Sequence, residues 1–295
     1  MKKQIFSMTG FAAAALLAFT FTSCGDDKKT DNGIPPIGGY NTSDEIAASN
    51  LVAKFSFEND VNDAKGNITA GSPVATSYVA GAKGQALQGS SAGYVIYSGV
   101  SSKVTGIQST TISTWVKTGV VANGAESWFQ LLNDSNWIGN LFVLQESGTA
   151  GSDSLRLKFT FNKWDANTAW KEQWVDYANE NRLTGIVDKW AHIAFSYDGA
   201  SSTASVYVNG KKITMPDAVA KRWSNDPTQG GVGLGELQFA NANRFIFGAY
   251  KQMVDATPDG WMKNFTGNLD EFRIYNKALA DADVQALYDL ESAGK

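Results

Sequence analysis

WAHIAFSYDGASSTASVYVNGKK, Trp190–Lys212, reads as an antiparallel β-hairpin, and it decides the fold class. Trp190, Ile193, Phe195 and Tyr197 form a half-alternating aromatic strand, Asp198 and Gly199 are turn residues, and Val206 and Val208 alternate through a second strand. Asn209-Gly210 then offers a type I′ turn, because both residues tolerate positive φ.

Working outward, short strands are expected at Leu51–Phe57, Gln85–Gln88, Tyr94–Tyr97, Thr110–Lys117, Trp128–Leu132, Leu141–Gln145, Phe245–Phe247 and Leu269–Tyr275. In Leu155–Phe161 the residues Leu155, Leu157, Phe159 and Phe161 share one face, and Arg156, Lys158 and Thr160 take the other, the pattern of a strand wet on one side. Only Asp281–Ala293 reads as a helix, with Val284, Leu287 and Tyr288 at i, i+3, i+4. Many strands without intervening helices, 29 Gly and 6 Pro in 295 residues, indicate an all-β, two-sheet antiparallel sandwich.

At the N-terminus, Lys2 and Lys3 precede an apolar run, Phe11–Phe21, that is too short to span a bilayer. The following Phe21-Thr22-Ser23-Cys24 resembles a lipobox, with Phe21 where leucine is usual, and Cys24 is the only cysteine. Residues 1–23 are therefore expected to be a lipoprotein signal peptide and Cys24 a lipidated anchor to the outer membrane, at the cell surface or the periplasmic face. Residues 24–50 are polar and rich in Asp, Lys and Gly, and are expected to be a flexible tether ahead of a domain at 51–291. Loss of Lys2 and Lys3 with the signal peptide takes the formal net charge from −4 to −6, which argues against a nucleic-acid partner.

With these residues in place, the chain resembles the laminin-G-like, concanavalin A-like lectin/glucanase superfamily in its jelly-roll form. The resemblance is carried by FSFENDVNDAKGN (Phe55–Asn67), GAKGQALQG (Gly81–Gly89), STTISTWVKT (Ser109–Thr118), the opening hairpin, FIFG (Phe245–Gly248) and FTGNLDEFRIYNKAL (Phe265–Leu279). It implies a concanavalin A-like jelly roll and a carbohydrate- or protein-binding role. Trp115 and Trp190 are expected in the core, and His192, the only histidine, is expected to be a satisfied sheet histidine rather than a catalyst.

Glucanases of this superfamily carry closely spaced acids on one strand, and Glu58 and Asp60 at i, i+2 would lie about 6.6 Å apart, inside the roughly 5–9.5 Å that glycosidase pairs need. However, Asn59–Asn67 reads as a turn, and Asp63 stands where the enzymes continue with Glu, so no catalytic residue is assigned. A glycoside hydrolase is the weaker alternative. In jelly-roll relatives a structural ion often lies between the first and last strands, so the resemblance implies Ca²⁺ at Glu58 and Asp270, with Asp63 as a lesser ligand. Solvated surface acids, with Asp270 and Glu271 pairing Arg273, are the competing account.

Trp164, Trp170, Trp174 and Tyr177 fall in a polar insertion between two strands and are the candidate glycan-binding aromatics. On a helix, Trp170, Trp174 and Tyr177 would share one face, which packs as readily as it binds. Trp128, Trp137, Trp223 and Trp261 are alternative loop aromatics. The expected function is a lipid-anchored binding module for carbohydrate, and the rival is a protein-interaction or structural subunit of an outer-membrane assembly. A concave groove with two or more exposed Trp favours glycan, a flat apolar patch favours protein, and paired acids in the groove favour catalysis.

Overall fold

The computed structural model describes residues 35–134, 136–165, 168, 171–176, 182–239, 241–255 and 257–295, of which 136–138 are described in backbone only. In chain order the first half holds β1 (Leu51–Phe55), β2 (Ile68–Val74), β3 (Ser77–Ala80), β4 (Gln85–Gln88), β5 (Tyr94–Val100), α1 (Ser102–Thr105), β6 (Thr110–Lys117), β7 (Ala125–Asn133) and β8 (Asn136–Glu146). The centre adds β9 (Ser154–Asn162), β10 (Glu172–Asp176), β11 (Leu183–Thr184), β12 (Ala191–Asp198), β13 (Thr203–Val208), β14 (Lys211–Lys212) and α2 (Asp217–Ala220). The chain closes with β15 (Ala242–Phe247), α3 (Lys251–Val254), β16 (Met262–Asn264), β17 (Asn268–Tyr275) and α4 (Asp281–Ser292).

These strands form two sheets. One runs β14-β13-β12-β6-β17-β4-β3, with β1 also on β17; the other runs β10-β9-β8-β7-β15-β5-β2, with β11 on β9 and the short β16 parallel to β7. The opening hairpin lies in the first sheet. Ile193 faces Val208 and Tyr197 faces Ala204, and Asn209 and Gly210 turn at φ of 49° and 76° into β14. Alternation then sorts the side chains: Ile112, Val116, Ile193, Phe195 and Val206 enter the space between the sheets, where they meet Phe159 and Phe161. At the other end Phe55 packs on Phe245, Phe247 and Phe272 with ring centroids 5.0–6.1 Å apart. Each such ring removes on the order of 2 kcal/mol of apolar surface from water, so the jelly-roll sandwich is held from inside.

Several expectations are corrected. Residues 36–50, read as tether, belong to the folded unit: Ser43 and Ile46 are buried and short 3₁₀ turns occupy Ser43–Glu45 and Ala48–Asn50. Their polar composition hides two anchoring side chains, Ile46 against α4 and Ser43 against Arg273. Within the insertion, Glu172–Asp176 form a strand, β10, so there Trp174 alternates with Gln173 and Val175. Thr160 is buried, not wet. Trp128 is a core residue whose Nε1–H donates to Gln145 Oε1 at 3.0 Å, and Trp190 is only half-buried, one residue ahead of β12.

Helix α4 covers the outer face of the first sheet. Val284, Leu287 and Leu290 pack on Ala194, Tyr207 and Tyr275, while Tyr288 stacks on Trp115 at 5.5 Å. Beneath it Arg273 is fully buried and donates to Glu291 at 2.8 Å, Glu271 at 2.7 Å, Asp44 at 2.6 Å and Ser43 at 3.0 Å. Each guanidinium nitrogen meets at least one acceptor, and three of the four acceptors are carboxylates, which is the condition for burying that charge.

Candidate functional site

The site candidates on the page are a cleft, a buried histidine and three carboxylates. Of the four aromatics proposed from sequence, Trp170 and Tyr177 lie outside the described residues. Trp164 is half-buried beside the Gln238 carbonyl, which accepts its backbone N–H at 3.0 Å, and it does not reach the cleft. Trp174 does.

The cleft has a volume of about 470 Å³ and lies between β10 and the segment 217–227, within the size range of small-ligand sites. Trp174 projects from the outer face of β10, edge-on to Phe142 at 5.7 Å, with Lys158 Nζ 5.4 Å above its ring and its Nε1–H donated to Glu172. Trp223 supplies a second ring. Its backbone is fixed by Gln173, which donates to the Trp223 carbonyl at 2.9 Å and accepts its N–H at 3.4 Å. Arg222, buried next to it, donates to the carbonyls of Trp174, Ala218 at 2.7 Å and Lys221 at 2.6 Å, so it ties β10 to α2. The Trp223 ring lies against Gly231, where a Cβ would stand 2.5 Å from the ring; only glycine allows that approach.

Glu172 and Asp217 both line this cleft. Each is exposed and already engaged, Glu172 by Trp174 and Asp217 by Lys221 at 2.7 Å. Sequence reasoning named Trp174 and Trp223 but missed Gln173, Arg222 and Gly231. Nothing in a linear pattern links residues some fifty positions apart.

His192 is fully buried, with Ser113 Oγ 2.7 Å from Nε2 and Trp115 at 5.5 Å; Nδ1 has no partner among the described residues. Burial, then the Arg273 charge, pulls its pKa down to about 3, so it is neutral.

The three carboxylates do not assemble as one site. Both Asp63 oxygens are taken by the backbone N–H groups of Lys54, Lys65, Asn67 and Ile68 at 2.8–3.0 Å, so Asp63 organises the turn after β1. Glu58 and Asp60 follow the end of β1 in that turn, not on the strand. Glu58 and Asp270, however, border the same loop: Glu58 accepts from Gln85 N at 3.1 Å, and Asp270 accepts from Lys83 N at 2.9 Å. A bulge between Asp270 and Arg273, with Glu271 at φ 43°, turns Asp270 and Glu271 outward. Asp270 is fully buried with no Lys or Arg in salt-bridge range among the described residues, and burial pushes its carboxyl up to about 7. Among those residues no three His, Cys, Asp or Glu side chains converge on one point.

The family profile for the concanavalin A-like lectin/glucanases superfamily (Laminin_G_3) matches residues 89–285. Domain 4 of AbnA, a GH43 extracellular arabinanase from Geobacillus stearothermophilus solved with arabinotriose, is 21% identical; the match covers 80% of this chain and 97% of that one at a TM-score of 0.50. The binding domain of botulinum neurotoxin DC in complex with rat synaptotagmin II is 16% identical, with 82% of this chain and 52% of that one covered at a TM-score of 0.54. The botulinum neurotoxin serotype G binding domain is 14% identical, covers 83% and 52%, and has a TM-score of 0.55. The chain thus spans about half the length of the toxin domains, and at these identities the likeness is one of fold. No curated protein matches by sequence.

Proposed function

The chain belongs to the concanavalin A-like lectin/glucanases superfamily, and on that premise we propose that it is a carbohydrate-binding module whose ligand occupies the Trp174–Trp223 cleft. One observation carries the reading: two partly exposed tryptophans share one concave site, each held by neighbours that leave its ring in place without a ligand. Sugar rings stack through their C–H faces on such rings, and the surrounding Glu172, Lys221 and Asp217 supply donors and acceptors for hydroxyls. The arabinotriose held by the arabinanase domain supports this choice of ligand class. Among the described residues, the exposed large apolar side chains Val74, Val232 and Trp261 sit on three separate segments, which supports a cleft rather than a broad docking patch.

A glycan array with the full chain, repeated with Trp174→Ala and Trp223→Ala, tests the reading. Binding should fall at least about tenfold, 1.4 kcal/mol, in either variant; a silent array, or variants that bind as the parent does, sinks it. Anchoring through a lipid on Cys24, in the outer membrane, belongs to the same proposal. So does a structural Ca²⁺ held by Glu58 and Asp270 with oxygens of the Gly81–Gly84 loop. A buried carboxylate lacking a basic partner supports the ion, which would neutralise that charge and pin the loop to β17.

A further inference from the structure

Two more depressions share lining residues with each other, and one of them reaches α2 beside the cleft. One, of about 370 Å³, lies between β13, β14 and α2, and is lined by Ile213, Met215 and Ala220 as well as Thr203, Ser205 and Lys212. The other, of about 550 Å³, lies on the outer face of β12 and β13, and Thr203, Ser205 and Lys212 line it too. At the far side of the middle depression, Ala220 is followed by Lys221, which lines the Trp174–Trp223 cleft with Asp217 and Ala218. The divider is therefore α2, one helical turn, and a bridge between Thr203 and Lys221 fixes it against the start of β13.

Resting on the carbohydrate reading, we infer that these three depressions form one path for an extended saccharide chain, with a stacking end at Trp174 and Trp223 and a hydroxyl-lined end at Ser196 and Ser205. The path crosses β12, β13 and β14 at about 4.8 Å per strand and then one turn of helix, roughly 5 Å more, which suits a chain rather than a single ring.

The chemistry of the hydroxyl-lined end follows from strand alternation. While Ile193, Phe195 and Tyr197 face the core, Ser196 and Asp198 face out, and Ser196 stands opposite Ser205 on β13. Before α4 begins at Asp281, this outer face carries mostly small polar side chains, and a groove remains beside the 276–281 segment. Ser196 is buried at 4% exposure and lines the floor of this groove. Hydroxyls both donate and accept, and the charges at the rim balance, Asp198 and Asp281 against Lys212 and Lys277. A neutral, hydroxyl-rich polymer matches that lining; a polyanion or polycation does not. Among the described residues the only large ring there, Tyr207, is buried and donates its hydroxyl to Asp281 at 2.7 Å, so hydrogen bonding replaces stacking at this end.

The test is affinity against chain length. Calorimetry on the full chain with trimer-to-octamer ladders from arabinan, xylan, β-glucan and mannan should give, in at least one ladder, an octamer bound about tenfold or more tighter than the trimer. Thr203→Arg, which fills the junction of the two outer depressions, should remove that gain and leave trimer affinity unchanged; Ser205→Arg, at the same junction, serves if Thr203→Arg does not fold. Equal affinity for trimer and octamer, or a length gain that survives the block, overturns the path and leaves the cleft reading standing. Failure of every fragment to bind overturns the cleft reading, and the path with it.

Discussion

Trp115 and Trp174 both lie on the outer face of a sheet, and both donate Nε1–H to a glutamate, Glu291 in one case and Glu172 in the other. Around Trp115 the arrangement is closed: Tyr288 of α4 stacks on the ring, Glu291 is also bonded to the buried Arg273, and water is excluded. Around Trp174, among the described residues, no helix stacks on the ring, Glu172 is exposed and the ring lines the cleft. The same pair of residue types thus holds the protein together in one place and presents a surface in the other. Cover from a neighbouring element, not residue type, separates the two roles.

The comparison breaks first on stability. Glu291→Ala strips a hydrogen-bonded partner from Arg273 and from Trp115 at once, and should cost about 3 kcal/mol by denaturant unfolding. Trp174→Ala should cost less than half of that while removing ligand binding. Equal losses would mean that Trp174 is a packing residue, and the contrast would collapse.

A smaller effect lies in the pH dependence. His192, beside Trp115, has a folded pKa of about 3 against an ordinary 6.5, so the unfolded chain takes up the proton first on acidification. Its contribution is therefore whole above pH 6.5 and is lost as pH falls toward 3, with a slope of up to about 1.4 kcal/mol per unit. In His192→Gln that part of the slope should vanish, as urea midpoints across this window would reveal; an unchanged slope would show that His192 is not shut off under α4.

The smallest effect concerns Asp270, an acid buried near Glu291 and, unlike it, lacking a basic partner. A chelator should lower Tm by a few degrees, on the order of 1 kcal/mol, and added Ca²⁺ should restore it. A Tm indifferent to both, measured by scanning calorimetry, removes the ion.

Much of the architecture was written in local pattern. The strands Gln85–Gln88 and Thr110–Lys117 and the Asn209-Gly210 turn stand where alternation and turn chemistry put them, because a half-buried strand must repeat every second residue. The edge strand β2, ITAGSPV, carries no such signal: all but Ile68 is exposed, so no apolar alternation is demanded of it. Ser43 and Ile46 were equally illegible, since two anchoring side chains in a polar run make no period.

By itself, then, the sequence determined the class and the sandwich, since burying alternate residues between two sheets leaves little choice of partner face. It also supplied Trp174 and Trp223 as names without a relation. Tertiary structure alone decided that Gln173 and Arg222 bring those rings into one cleft, that Asp63 spends its oxygens on backbone amides, and that α4 covers Trp115 while Trp174 lines a cleft. The physical reason is range: strand periodicity acts between neighbours, whereas a site depends on which distant segments the packed sheets place side by side.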